Sequence, residues 1–114
     1  MKFNDEERLI DGLLSYGKTE TIRDSKRKQI GEKFNSKGDL YFNYKSIRQS
    51  DYDLYGTTDQ SLDLKIYSFF DKDVEKSHKV LIEKTLYNVT KIDPTNDRKY
   101  MYWYLTKVGD LDAI

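Results

Sequence analysis

The chain has 114 residues with 20 Lys or Arg, 20 Asp or Glu, one His and no Cys, so its net charge is zero. That length suits one domain with a single modest core. The lack of Cys excludes disulfides, thiolate zinc sites and thiol catalysis; the charge balance argues against bulk attraction to nucleic acid or an anionic membrane, leaving only local patches.

Charged residues make up 35% of the chain, but aromatics reach 14%, ten of them Tyr, and this content argues for a fold rather than disorder. No apolar run approaches the roughly 20 residues of a membrane-spanning helix. Met1–Arg8 has no apolar stretch of the signal-peptide kind. The expectation is a protein made in the cytosol, or a particle assembled there. Zero net charge gives little colloidal repulsion, which suits a protein that assembles.

Asn4 followed by Glu7, with Gly12 beyond, predicts a short helix over Asp5 to Asp11. Residues 1–12 are thus an N-terminal segment. Leu13 to Ile22 is rich in Thr, Tyr and Ile and reads as a strand. Arg23 to Gly38 carries six basic and two acidic side chains and two Gly, and reads as a long, mobile, basic loop. Asp39 to Ile47 returns to strand composition. Ser50 with Asp53 predicts a capped helical turn ending near Gly56.

Ser61 to Phe70 alternates clearly, with Leu62, Leu64, Ile66 and Phe70 on one face and Asp63, Lys65 and Tyr67 on the other. Asp71 to Ser77 is a charged loop. Lys79 to Ile82 and Leu86 to Ile92 predict two strands about a tight turn at Glu83-Lys84-Thr85. Asp93 to Asp97 is a turn cluster, since Pro94 does not suit a central strand. Lys99 to Val108 closes the series, with Met101, Trp103 and Leu105 inward and Tyr100, Tyr102 and Tyr104 on the other face. Residues 109–114 are an expected frayed tail.

The sum is an all-β single domain: a small antiparallel barrel of about six strands over residues 13–108, with a short helix and long inter-strand loops. Neighbouring strands this close must pair antiparallel, and closure removes open edges.

Chemistry-bearing groups are sparse. His78 sits between Ser77 and Lys79 in a charged stretch and reads as a solvated loop residue. The pairs Asp51/Asp53, Asp71/Asp73 and Asp93/Asp97 lack a metal-loop signature and read as turn formers. No glycine-rich phosphate loop or nucleophile turn occurs. Arg23, Lys26, Arg27, Lys28, Lys33 and Lys37, with Phe34 among them, are candidates for phosphate contact. Tyr67, Tyr100, Tyr102 and Tyr104 are candidates for a protein interface, because tyrosine combines an apolar ring with a polar tip.

Four segments carry a resemblance. They are Leu13-Leu14-Ser15-Tyr16-Gly17-Lys18-Thr19; the strand–helix–strand run from Tyr41-Phe42-Asn43-Tyr44-Lys45 through Ser50-Asp51-Tyr52 to Leu62-Asp63-Leu64-Lys65-Ile66; the hairpin Val80-Leu81-Ile82 to Leu86-Tyr87-Asn88-Val89; and the turn Asp93 to Asp97 leading into Tyr100 to Leu105. In this order the chain resembles the head-completion, or stopper, proteins of long-tailed bacteriophages, also grouped as head–tail adaptor proteins.

The resemblance implies a structural virion protein, non-enzymatic and without cofactor. Monomeric alone, it would dock as a ring below the portal and adaptor, close the channel over packaged double-stranded DNA and present a platform to tail-completion or tail-terminator proteins. Its place would be the head–tail connector, assembled in the bacterial cytoplasm, with no membrane contact. The resemblance also implies an inter-strand loop that plugs the channel. Ser50, Asp51, Tyr52, Asp53, Leu54, Tyr55, Gly56, Thr57, Thr58, Asp59 and Gln60 are the favoured gate, and Arg23 to Gly38 is the second candidate, facing a neighbouring ring or DNA. The alternatives are a tail-completion or terminator ring protein, a small oligonucleotide-binding barrel using Tyr41, Phe42, Tyr44 and the basic residues, and a hydrolase using paired carboxylates.

Overall fold

In the computed structural model, residues 8–55 and 62–111 are described. They form six strands and one helix: β1 (Gly12–Arg23), β2 (Gln29–Lys45), α1 (Gln49–Tyr55), β3 (Leu64–Phe69), β4 (Lys79–Ile82), β5 (Thr85–Pro94) and β6 (Tyr100–Asp110). All six strand pairings are antiparallel, and the order β1-β2-β3-β6-β5-β4 closes on itself as a barrel. The expected fold class is therefore present.

Each barrel strand turns alternate side chains inward. Leu14, Tyr16, Phe42, Ile66, Val80, Ile82, Val89, Met101, Trp103 and Leu105 form the core. The Trp103 indole donates to Ser68 Oγ at 2.8 Å, and that hydroxyl donates to the Phe69 carbonyl at 2.9 Å. The buried polar atoms at the centre are thus satisfied within the core.

Five expectations are corrected. First, Arg23 to Gly38 is not a loop: most of it is the first half of β2, paired with β1 from Arg23↔Gln29 to Tyr16↔Gly38. The turn between the strands is confined to Asp24–Lys28. There the Asp24 carboxylate accepts from the amides of Lys26 and Lys28 at 2.9 Å each, and Arg27 takes a left-handed φ of 64°. Strand pairing here needs no buried face, so no hydrophobic alternation marks it.

Second, the expected helix over Asp5 to Asp11 is not formed where it is described. Residues 5–7 lie outside the described residues, and Arg8–Asp11 are irregular. Asn43 binds this stretch instead, accepting from the Ile10 and Asp11 amides at 2.8 and 3.1 Å and donating to the Arg8 carbonyl at 2.5 Å. Gly12 opens β1 rather than ending a helix.

Third, Gly109 and Asp110 are not tail: they pair with Leu86 and Thr85, and Leu111 N–H donates to the Lys84 carbonyl at 2.6 Å. Residues 112–114 lie outside the described residues. Fourth, His78 is not solvated but 2% exposed. Its Nδ1 accepts from the Glu75 amide at 3.0 Å, and its ring lies 5.4 Å from that of Tyr16. Fifth, Asp93 and Pro94 do not belong to the turn expected over Asp93 to Asp97: they end β5, paired with Tyr102 and Met101, because Pro94 takes the last strand position, where a missing N–H is tolerated.

The hairpin of β1 and β2 outgrows the barrel. β4 pairs with β1 only at Ser15–Gly17, and β3 pairs with β2 only at Phe42–Lys45. From Lys18 to Arg23 and from Gln29 to Asn35, each strand has only the other as its described neighbour. Six antiparallel residues rise about 20 Å. The longest dimension is 67 Å against 31 and 21 Å for the others, as a projecting ribbon requires.

A register shift between Tyr16 and Gly17 marks the junction of ribbon and barrel. A Cβ on Gly17 would lie 2.0 Å from the Asn35 carbonyl oxygen, so the strands can approach here only because the side chain is absent.

Candidate functional site

Two surfaces stand out: the outer face of β3 and β6 beneath α1, and the projecting ribbon.

The outer face follows from strand register. Lys65 stands opposite Tyr104, Tyr67 opposite Tyr102 and Phe69 opposite Tyr100, so all six side chains share the face turned away from the core. They make a continuous ladder. Phe69 stacks on Tyr100 at 5.3 Å, Tyr100 on Tyr67 at 4.8 Å, and Tyr67 meets Tyr102 at 4.6 Å between ring centres. Cations cover the rings: Lys45 Nζ is 5.0 Å from the Tyr67 centroid, and Lys65 Nζ is 5.2 Å from both Tyr102 and Tyr104. Such contacts pair an ammonium with the negative ring face and hold both in place.

Of the four tyrosines proposed for an interface, Tyr100 and Tyr104 are buried by their neighbours, whereas Tyr67 and Tyr102 keep partial exposure. The face a partner could meet is thus narrower than the sequence alone suggests. Tyr41 and Tyr44, on β2, are the most exposed described tyrosines, at 62% and 51%.

Helix α1 crosses one end of this ladder. Asp51 Oδ2 receives Lys65 Nζ at 2.9 Å, and both side chains are buried. The same oxygen accepts the Arg48 amide at 2.9 Å, while the Asp51 amide donates back to the Arg48 carbonyl. Burial pushes the Asp51 carboxyl up, but the Arg48 and Lys65 hydrogen bonds, the Lys65 charge and the Tyr104 hydroxyl outweigh it and hold the group below the usual carboxylate range. Between α1 and the barrel lies a cleft of about 490 Å³, lined by Lys45, Arg48, Asp51, Lys65, Tyr102 and Tyr104 among others.

Of the candidate gate, Ser50 to Tyr55 are in α1. Gly56, Thr57, Thr58, Asp59 and Gln60 lie outside the described residues. Tyr52 and Leu54 on α1 are 42% and 70% exposed, so the helix meets the barrel through Asp51 rather than through an apolar face.

The basic candidates are separated along the ribbon. Arg23, Lys26, Arg27 and Lys28 gather at its tip, all exposed. Lys33 sits midway, opposite Glu20, and Lys37 is at the register shift near the base. Phe34 faces Thr19 across the ribbon, away from the tip.

Of the carboxylate pairs, Asp93 is an exposed β5 residue that lines the cleft beneath α1, while Asp71 and Asp97 are engaged by neighbours. Asp71 accepts the Tyr16 hydroxyl at 2.7 Å and the Asp73 amide at 2.9 Å. Burial, and then Asp71, push the Tyr16 phenol up to about 12. Asp97 accepts from the Thr95 hydroxyl and the Lys99 amide, in that order the main reasons it titrates below the usual range. The Asp51–Lys65 pair is not legible in the sequence because its partners are 14 residues apart, one in α1 and the other in β3. The available signal was Lys65 as the one charged residue of β3.

No family model matches the chain, and no curated protein does. In fold it is similar to the solution structure of protein SF1141 from Shigella flexneri 2a, with a TM-score of 0.60 and 11% identity over 85% of this chain and 91% of that one. At that identity the likeness concerns fold alone. Among the described residues, no helix is long and apolar enough to cross a membrane.

Proposed function

We propose that this chain is a structural, non-enzymatic subunit of a phage head–tail connector. It docks as a ring below the portal and adaptor, closes the channel after DNA packaging and offers the platform on which the tail assembles. The observation that carries this reading is a closed barrel bearing long inter-strand elements at its β1–β2 and β2–β3 connections. A barrel has no open edge among its wall strands, so it presents defined patches to neighbours instead of pairing indiscriminately.

A closing ring needs two different patches on each subunit. The ladder of Tyr67 and Tyr102 with its cleft supplies one, with aromatic rings and the cations Lys45 and Arg48. The gate is assigned to Ser50–Gln60, whose α1 portion is held to the barrel through Asp51, by the Lys65 ion pair and the Tyr104 hydroxyl. Among its described side chains the apolar Tyr52 and Leu54 are exposed, which suits a part that must move. The tail-terminator alternative, which goes with a mixed α/β fold, has less support from an all-β chain.

The test is electron microscopy of particles made by the phage genome lacking this gene. DNA-emptied heads beside complete, unattached tails are the expected result. Normal joined virions would overturn the reading. A small oligonucleotide-binding barrel is the second reading, favoured by the exposure of Tyr41 and Tyr44, and salt-dependent titration with single strands tests it.

A further inference from the structure

We infer that the tip of the β1–β2 ribbon is a contact for the phosphate backbone of double-stranded DNA. This deepens the connector reading by naming the element that meets DNA, yet it stands on charge and shape that can be tested apart from that reading.

The chain as a whole is neutral. Arg23, Lys26, Arg27 and Lys28 are exposed within six residues, and the single carboxylate among them, Asp24, is engaged by the amides of Lys26 and Lys28. Farther down the ribbon, Lys33 has Glu20 opposite it in register, so the surplus is greatest at the tip. A neutral protein that concentrates cations at the end of a projection presents a local field where the bulk charge presents none.

Shape selects the partner. Beyond the barrel the ribbon is only two strands wide, and B-DNA's major groove, about 12 Å across, admits a two-stranded ribbon. The major groove of A-form RNA is too narrow for side chains to read. Single strands are held by aromatic platforms, and Asp24–Gln29 contains no aromatic residue. The Arg and Lys of the tip are the side chains that most often contact phosphate. Arg23 is partly pre-organised, because its Nη1 donates to the Arg27 carbonyl at 3.2 Å. The open edges of the ribbon could instead pair with a second copy, but charged side chains along both strands oppose that.

The test is fluorescence anisotropy of a mixed-sequence duplex titrated with the whole chain over a salt series. Neutralising about three phosphates predicts a slope near −2.7 in log affinity against log salt, or about 500-fold weaker binding for tenfold more salt. A tip variant, Arg23→Gln, Lys26→Gln, Arg27→Asn and Lys28→Gln, should lose at least about tenfold in affinity at low salt and most of that slope. Asn is chosen at Arg27 because it tolerates the left-handed backbone. Near-UV circular dichroism of Trp103 checks that each variant is folded. Lys26→Arg with Lys28→Arg should retain binding, as should Lys72→Gln, Lys76→Gln, Lys84→Gln and Lys91→Gln, which remove equal charge from the barrel.

Absence of duplex binding at the lowest salt, equal loss in the barrel variant, or tighter binding to a single strand would each overturn the inference. None of these would bear on the connector reading, which the deletion phenotype decides. Conversely, duplex binding that depends on the tip would stand even if the deletion left virions joined.

Discussion

Lys65 Nζ lies 2.9 Å from Asp51 Oδ2 with both side chains less than one-tenth exposed, and this contact is what joins the helix in the β2–β3 connection to the barrel wall. A buried pair of this kind is costly to break and adds little net stability over an apolar replacement. Its consequence is specificity of position for α1.

Removing one partner should therefore cost more than removing both. Lys65→Met alone leaves a buried carboxylate and should destabilise the fold by about 3 kcal/mol, whereas Lys65→Met with Asp51→Leu should return to within about 1 kcal/mol of the parent. Urea unfolding of the parent and the two variants measures this. Limited proteolysis should cut near residues 49–61 faster in both variants. Equal losses in the single and double variants would show that the pair is not coupled.

The same carboxyl predicts an acid limb. Its folded pKa lies below the ordinary carboxylate value of 3.8, so it stabilises the fold above the unfolded pKa, and this is lost as pH falls through the folded value. Asp51→Asn should be less stable than the parent at pH 7, and the gap should narrow below about pH 4.

His78 predicts a second, milder limb at higher pH. Burial, aided by Lys37 and Lys18 and opposed by Glu75 and Asp71, holds its pKa below 6.5. The folded protein thus binds fewer protons there than the unfolded chain. Stability should fall as pH drops from about 7 towards the lowered folded value and then level off. His78→Asn should flatten that fall in melting temperature between about pH 7 and 5. An unchanged slope would place the titrating group elsewhere.

Trp103 is fully buried and its indole is hydrogen-bonded to Ser68. Trp103→Ala should cost about 3–5 kcal/mol by emptying the middle of the core. Ile66→Ala, on the adjoining strand, should cost about 2–5 kcal/mol. Unchanged melting of either variant would contradict the inward facing of these strands.

Gly17 sets the junction between barrel and ribbon. Gly17→Ala would drive a Cβ into the Asn35 carbonyl and should cost about 1–3 kcal/mol. Hydrogen exchange should show lost protection in residues 18–36 while the β5–β6 amides keep theirs.

The barrel wall was legible because one face of each wall strand is buried. Leu64, Ile66, Met101, Trp103 and Leu105 alternate with polar or tyrosyl neighbours, and burial imposes that alternation on the sequence. The ribbon was not legible for the converse reason. Residues 29–35 have no core to face, so Gly31 and scattered charges read as loop although all of them but Ile30 pair with β1. The helix Gln49–Tyr55 was readable from its cap-like residues, but its attachment was not, since Asp51 and Lys65 belong to separate elements. His78 gave the opposite error: its sequence neighbours are charged and exposed, while its own ring is covered by Tyr16.

Local pattern thus suffices for strand faces, the short helix and the absence of cysteine chemistry, all of which depend on nearest neighbours or composition. The strand order, with β6 inserted between β3 and β5, depends on which edges meet when the sheet closes. So do the tyrosine ladder, the buried ion pair and the reach of the basic ribbon. Each is a contact between residues far apart in the chain, and long-range contacts leave no periodic trace at either partner, so only closure of the barrel brings them together.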